Sequence, residues 1–133
     1  MIAGVADTHA AVWFFSGDAR LSASAKEFFY SAAATRRKIA LSSISLAEVV
    51  YLVEKSRLPA SAYDDLKQAL ANPNHVLEEA TFNAEVVEAM RQVSRADVPD
   101  MPDRIVAATA VYFGVPVITR DGRIRASNLQ TIW

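Results

Sequence analysis

The chain has 133 residues, of which 52% are hydrophobic, so it is large enough for one folded domain with a buried core and lies outside the range of disordered proteins. Its formal net charge of −1 excludes an overall basic surface, so a nucleic-acid partner would have to be bound by local basic patches or by metal ions. The absence of cysteine excludes disulfides and thiolate metal sites and is consistent with a cytoplasmic protein.

Neither of the two long apolar stretches is expected to cross a membrane. The N-terminal stretch lacks a cationic leader and contains Asp7 in its middle, which argues against a signal peptide. The stretch from Ile105 to Ile118 is interrupted by Gly114 and Pro116 and is too short to span a bilayer. We therefore predict no membrane partner.

The first half of the chain alternates between strand and helix patterns. An apolar run from Ile2 to Ala6 predicts a strand, and a helical pattern that includes Trp13 follows it. Ser22 is a suitable N-cap for the next helix, which carries an aromatic cluster at residues 28–30. Beyond it, the pattern predicts a strand from Lys38 to Leu41, a helix over 46–55 and a helix from Pro59 through Leu70.

The second half continues the alternation, with a loop in its middle. A strand is predicted from His75 to Glu78 and a helix from Asn83 to Val93, and the prolines and charges of segment 95–103 predict a loop. The remaining elements are a helix from Ile105 to Phe113 ended by Gly114, a strand from Pro116 to Thr119, a turn at Asp121-Gly122 and a strand from Leu129 to Trp133.

These elements together predict the fold class. Strands that alternate with helices pair in parallel through right-handed crossovers. We therefore predict an α/β fold in which helices cover both faces of a central, mostly parallel sheet. No linker or repeat divides the chain, so residues 1–133 are expected to form a single domain. In such sheets, functional residues collect at the carboxyl ends of the strands.

Four acidic residues occupy corresponding places in this scheme. Asp7 follows the first strand, Glu48 lies in the first turn or so of the helix after the second strand, and Asp121 follows the fourth strand. Asp103 opens the helix that precedes the fourth strand. All four carboxylates are therefore expected to converge on the carboxyl edge of one sheet.

Each of these acids also has a purely structural explanation. Asp7 could be an N-cap, and Ser45 with Glu48 matches the capping-box pattern. Asp103 suits the first turn of a helix, where a negative charge complements the dipole, and Asp121 could belong to a turn. Taken one at a time, these explanations are favoured, so the functional interpretation depends on the four acids acting together.

A divalent cation would explain why four acids gather at one edge. Carboxylates crowded together repel one another, and some must take up protons unless a cation offsets their charge. Mg²⁺ and Mn²⁺ prefer oxygen ligands and can activate water for attack on a phosphodiester. Zinc is not expected, because cysteine is absent and neither His9 nor His75 has a partner at ligand spacing.

Four segments, in their order and spacing, resemble the PIN-domain ribonucleases that are VapC-type toxins of type II toxin–antitoxin systems. The matching segments are DTHAAVW at 7–13, SSISLAEVVYL at 42–52, DMPDRIVAATA at 100–110 and GVPVITRD at 114–121. The most specific feature is DRIVAATA followed by ITRD, and the resemblance spans nearly the whole chain.

The resemblance implies a three-layer α/β/α, Rossmann-like domain that cleaves RNA with Mg²⁺ or Mn²⁺. It also implies a homodimer and a cognate antitoxin, whose C-terminal segment is buried in a hydrophobic groove. By position, the family's metal-binding and catalytic acids are carried over to Asp7, Glu48, Asp103 and Asp121. Asp100 matches an accessory acid and Thr119 a hydroxyl that positions water or a ligand.

The chain departs from the family at one place. Many relatives have His-Gly just before the D-x-x-D element, whereas this chain has Val98-Pro99. This departure leaves the four main acids intact.

Several basic and aromatic residues are further candidates. The basic groups at 36–38, at 91 and 95, and at 120, 123 and 125 could contact RNA, although a solvated surface position is the favoured explanation for each. Arg104 is expected to pair with a neighbouring acid. The aromatic runs at 13–15 and 28–30 are expected in the core or along a hydrophobic groove.

Two other functions compete with RNA cleavage. Aspartyl phosphotransfer with Asp7 as nucleophile is disfavoured, because that chemistry needs an acid where this chain has His9 and a lysine near the later strand. A catalytically inactive PIN-like module that binds RNA or protein is the alternative that stays open, although the chain retains all four acids.

Overall fold

The computed structural model describes Met1–Trp133 and contains a five-stranded sheet with helices on both sides. The strands are β1 Ile2–Ala6, β2 Lys38–Ser42, β3 Leu77–Ala80, β4 Val117–Ile118 and β5 Thr131–Ile132. The helices are α1 Thr8–Ser16, α2 Ala23–Ala34, α3 Ser43–Glu54, α4 Ala62–Ala71, α5 Ala84–Met90, α6 Met101–Phe113 and α7 Gly122–Ala126. None of these helices has the length and apolar composition that a membrane crossing requires.

The sheet is entirely parallel, with the strand order β3-β2-β1-β4-β5. Strands β1, β2 and β3 are neighbours in chain order, and β4 then pairs with the other side of β1. The strand order therefore reverses between β1 and β4, and a crevice opens at their carboxyl ends, where ligands bind in sheets of this type. The predicted α/β fold with a parallel sheet is confirmed.

The core consists of two clusters, one on each face of the sheet. In β2, Ile39 and Leu41 belong to one cluster and Ala40 to the other, as the alternation of side chains along a strand requires. In β4, Ile118 and Val117 divide in the same way. Helices α1 to α4 contribute to the first cluster and helices α5 to α7 to the second, which confirms the three layers.

Four predicted strands differ from the observed ones at their ends: β2 ends one residue later, at Ser42, and β5 covers only Thr131–Ile132. The third strand begins at Leu77, two residues later than predicted, because His75 belongs to the preceding turn, where its N–H donates to the Asn72 carbonyl at 3.0 Å. The fourth strand is shorter than predicted and begins after Pro116, which has no N–H to donate to a neighbouring strand.

The predicted capping box at Ser45 and Glu48 is wrong. Helix α3 begins at Ser43, and the N-cap is Ser42, whose hydroxyl accepts a hydrogen bond from the Ile44 N–H at 3.2 Å. Glu48 therefore lies in the second turn of the helix, where its carboxylate is not needed to cap the backbone. Ser45 is fully buried one turn earlier.

Helix α6 begins at Met101, inside the segment predicted to be a loop. Asp100 is its N-cap and accepts a hydrogen bond from the Asp103 N–H at 3.1 Å, so Asp103 lies in the first turn as predicted. The helix ends at Gly114 in the left-handed conformation, with φ of 68°, as its glycine predicts.

Arg104 does not form the predicted ion pair with an acid. Its Nη2 donates to the Met90 carbonyl and its Nε to the Val93 carbonyl, each at 3.0 Å. The guanidinium thus satisfies backbone acceptors at the end of α5 and joins this end to the start of α6. The prediction was wrong because the carbonyl acceptors are distant in sequence and meet Arg104 only in the folded chain.

Candidate active site

A cavity of about 410 Å³ opens at the carboxyl ends of β1 and β4. All four predicted acids and the accessory acid Asp100 line it, so the structure brings together the carboxylates that the sequence places at separate strand ends. The full lining consists of Asp7, Thr8, His9, Trp13, Arg20, Glu48, Asp100, Asp103, Arg120 and Asp121.

Asp7 holds the end of β1, the start of α1 and the end of β4 together. It caps α1, since its Oδ1 accepts a hydrogen bond from the Ala10 N–H at 2.8 Å. Its Oδ2 accepts a hydrogen bond from the Thr119 hydroxyl, which itself accepts one from the Asp121 N–H at 2.9 Å. Burial nevertheless raises the pKa of Asp7, against the lowering effect of its hydrogen bonds with Thr119 and Ala10.

Glu48 is held by a hydroxyl from the neighbouring helix α1. The Thr8 Oγ1 lies 2.6 Å from the Glu48 Oε1 and 2.9 Å from the Ser45 Oγ. A hydroxyl has one proton, so Thr8 donates a hydrogen bond to the Glu48 carboxylate and accepts one from the Ser45 hydroxyl. Burial raises the pKa of Glu48 despite this hydrogen bond.

Asp103 also has a raised proton affinity within the cavity. Burial is the main cause and repulsion from Asp121, Asp100 and the other two acids adds to it, and together they raise its pKa to about 7. The cavity therefore holds more negative charge than it can stabilise at neutral pH. A cation bound among these acids would relieve that repulsion.

Asp121 begins a short helix instead of the predicted turn. Its Oδ1 accepts hydrogen bonds from the Arg123 N–H at 2.9 Å and the Ile124 N–H at 3.0 Å, which makes it the N-cap of α7. Burial of Ile124 in the core fixes this helix against the sheet. One oxygen of Asp121 thus has a structural task, while the side chain still borders the cavity.

The acids of the cavity fit a hydrated Mg²⁺ or Mn²⁺. Their donors are carboxylate oxygens, which these ions prefer. No three acidic or histidine side chains converge tightly enough to enclose a bare cation. Mg²⁺ usually keeps several waters and takes one or two carboxylates directly, so such a site would not require three converging side chains.

Sequence reasoning missed four residues of the cavity lining: Thr8, His9, Trp13 and Arg20. His9 was expected to lie away from any ligand partner, yet it borders the acids, and its ring lies 5.5 Å from that of Trp13. The spacing of His9 and Trp13 could have indicated this, because residues four apart share one side of a helix and Asp7 is the N-cap of this helix. No local pattern marked Arg20.

The basic groups predicted as RNA contacts lie in different places. Residues 36–38 lie at the amino end of β2, at the sheet edge opposite the cavity. There Lys38 donates to the Pro73 carbonyl at 2.6 Å, which is a structural contact. Arg91 forms an exposed ion pair with Glu88 at 3.2 Å. Of the predicted basic residues, Arg120 alone lines the acidic cavity.

A second cavity, of about 360 Å³, adjoins the first, and Trp13 and Arg20 line both. Other residues of α1, Asp18 and residues of the segment 57–66 also line this partly apolar groove. The aromatic run at 28–30 does not line it; of the two positions expected for this run, Phe29 takes the core, where it stacks on Phe14 with ring centroids 4.1 Å apart.

Thr119→Val should weaken the site without removing an acid. Valine keeps the shape of the fully buried side chain but loses the hydrogen bonds to Asp7 and from the Asp121 N–H. We expect the free energy of unfolding to fall by about 1–3 kcal/mol and the affinity of the site for Mn²⁺ to fall about tenfold. Thermal unfolding and isothermal titration with Mn²⁺ measure the two effects, and Thr119→Ser should restore both. Equal defects in the serine and valine variants would contradict the proposed role of the hydroxyl.

The sequence profile of the PIN domain matches residues 5–127, so the chain belongs to the PIN domain family and has the fold of a PIN nuclease. This match contains all four acids of the cavity. No curated protein matches the chain in sequence.

Solved structures share this fold over almost the whole chain. VapBC2 from Rickettsia felis, bound to a DNA fragment from its promoter, has a TM-score of 0.69 and 23% identity. DNA-bound VapBC from Salmonella typhimurium has a TM-score of 0.71, and a toxin–antitoxin complex from Klebsiella pneumoniae one of 0.66, each with 20% identity. Each similarity covers 98% of this chain and 97% of the other.

Proposed function

We propose that this chain is a metal-dependent endoribonuclease toxin of the VapC type, which hydrolyses RNA phosphodiester bonds and is neutralised by a cognate antitoxin. The observation that carries the proposal is the convergence of Asp7, Glu48, Asp103 and Asp121 on one cavity in a PIN domain. The similarity to structures of toxin–antitoxin complexes supports the toxin class.

The four acids would hold Mg²⁺ or Mn²⁺ and orient the attacking water. A bound cation supplies charge neutralisation at the phosphodiester and lowers the pKa of water. Asp7 and Glu48 are already oriented for this task by the hydroxyls of Thr119 and Thr8. Asp121, capping α7, supports them from the end of β4.

Asp103 would bind the cation in its ionised form and, with Asp7 and Glu48, would orient the attacking water, whose proton passes to solvent. The water oxygen forms a bond to phosphorus, while the bond from phosphorus to O3′ breaks and O3′ takes up a proton. The products are a 5′-phosphate and a 3′-hydroxyl. Asp100 contributes by capping α6 at Asp103.

The second cavity is the proposed docking site for the antitoxin. It adjoins the acidic cavity through Trp13 and Arg20, so a segment bound in it could extend a basic side chain among the acids and compete with the cation. We also propose that residues 1–133 form one domain, which acts as a homodimer in the cytoplasm. Exposed apolar side chains on α5 and α6, including Val87, Tyr112 and Phe113, are candidate dimer contacts.

Cleavage of total cellular RNA by the purified, antitoxin-free protein tests the function. We expect fragments with Mg²⁺ or Mn²⁺ and none with EDTA, and mapping of the fragment ends identifies the target. If folded protein cuts no RNA with either cation, the chain is instead an inactive PIN-like binding module.

A further inference from the structure

The acidic cavity has an electrostatic difficulty that its carboxylates cannot resolve. RNA is a polyanion, and five carboxylates line the cavity that its phosphodiester must enter. A single divalent cation would offset only part of this charge. Two guanidinium groups also border the cavity, that of Arg20, which is paired with Asp18, and that of Arg120.

Both guanidinium groups rest against one indole ring. The Arg20 Cζ lies 4.8 Å and the Arg120 Cζ 4.6 Å from the ring centroid of Trp13. Trp13 is only 4% exposed and contacts the ring of Trp133 at a centroid distance of 6.0 Å, so it is a fixed support. The two arginines come from different parts of the chain, one after α1 and the other after β4.

A guanidinium that packs against an aromatic ring keeps donors free at its edge for a phosphate. The chain's ion pairs do not involve Arg120, so its donors are available. Arg20 donates through Nε at 3.1 Å and Nη2 at 2.8 Å to Asp18, which orients the side chain and leaves Nη1 free. Holding both side chains in place reduces the entropy lost when a phosphate binds.

We propose that Arg20 and Arg120, supported by Trp13, bind backbone phosphates of RNA next to the phosphodiester placed at the acids. This inference rests on the proposed ribonuclease function and assigns its phosphate-binding residues. The contact is to the backbone, so it positions the RNA without selecting a base sequence.

RNA binding by variants in an Asp7→Asn background tests this inference, because it does not require cleavage. The probe is a short, fluorescein-labelled single-stranded RNA of mixed sequence, with binding followed by fluorescence anisotropy at several salt concentrations in Mg²⁺. Arg37→Ala is the matched control, because Arg37 lies at the opposite edge of the sheet. Arg20 and Arg120 are exposed, so their removal should leave the fold intact, which thermal unfolding verifies.

We expect Arg20→Ala and Arg120→Ala each to weaken binding about tenfold, and the double variant to weaken it more. The slope of the logarithm of the binding constant against the logarithm of salt concentration should become less steep by about 1 for each arginine removed. Arg120→Lys should recover only part of the affinity, since lysine keeps the charge but loses the planar donors. In the active enzyme, which retains Asp7, the same arginine substitutions should raise KM more than they lower kcat. Binding equal to that of Arg37→Ala would overturn the inference.

The result separates this inference from the proposed function. If the wild-type protein cuts RNA while the arginine variants bind and cut as well as the control, the inference fails and the ribonuclease function stands. If the wild-type protein never cuts RNA but loses binding when the arginines are removed, the ribonuclease function fails and the phosphate-binding role stands.

Discussion

Asp7→Asn should lower kcat/KM for RNA cleavage by about 10³-fold while leaving the fold intact. Asparagine is as good an N-cap as aspartate, so it can still accept the Ala10 N–H at the start of α1. Its Nδ2 then faces the Thr119 hydroxyl, to which it can donate but from which it cannot accept, and it has no negative charge for a cation. The substitution therefore separates the structural task of Asp7 from its proposed catalytic one.

Cleavage kinetics and thermal unfolding together measure this separation. Because burial raises the pKa of Asp7, removing its charge should leave the melting temperature unchanged or slightly higher. Asp64→Asn is the matched control, since Asp64 is exposed on α4 and does not line the acidic cavity. A variant that stays folded and cleaves at the wild-type rate would show that the metal site lies elsewhere.

Affinity for Mg²⁺ or Mn²⁺ should fall steeply as the pH decreases below about 7. A carboxyl must lose its proton to bind a cation, and the pKa of Asp103 is about 7. Each unit of pH below this value should therefore lower the apparent affinity about tenfold, and cleavage at a limiting cation concentration with it. Isothermal titration with Mn²⁺ at pH 5.5, 6.5 and 7.5 measures the effect. A pH-independent affinity would contradict the assignment of Asp103 to the cation site.

The same carboxyl should make stability depend on pH in the absence of cation. Folding raises the pKa of Asp103 from its ordinary 3.8 to about 7, so between these values the folded chain binds more protons than the unfolded one. Its stabilising contribution is complete below pH 3.8 and is lost as the pH rises through 7. Because the side chain is partly exposed and solvent screens its charge, this contribution to the free energy of unfolding is on the order of 1 kcal/mol.

Thermal unfolding with and without Mn²⁺ reports this contribution. The cation-free melting temperature should decrease from pH 5.5 to 8, and Mn²⁺ should raise it more at pH 8 than at pH 5.5. Asp103→Asn should weaken both trends, because asparagine does not titrate. Identical pH profiles for this variant and the wild type would show that another group is responsible.

The alternation of apolar residues was enough to predict the layers and the position of the main acids. Ile39 and Leu41 lie on one face of β2 and Ala40 on the other, as a period of two requires. Asp7 and Asp121 follow parallel strands, and the carboxyl ends of such strands share one edge, so their proximity could be predicted before the structure was known.

Local patterns left the ends of several elements ambiguous. Ser42 and Ser45 are both suitable caps for α3, and the choice between them depends on burial of Ser45 beside Thr8. Asp121 followed by glycine suits a turn as well as a helix start, and burial of Ile124 decides in favour of the helix. Packing, which the local pattern does not contain, resolved both cases.

The sequence by itself determined the fold class, the sheet edge that carries the acids and the oxygen chemistry of the candidate site. These properties follow from the periodicity of the apolar residues and from the order of strands, helices and acids along the chain. Only the tertiary structure decided that Thr8 holds Glu48, that Arg20 and Arg120 share the ring of Trp13, and that a groove adjoins the acids. Such contacts join residues far apart in sequence, so they depend on how helices cross the sheet and have no local signature.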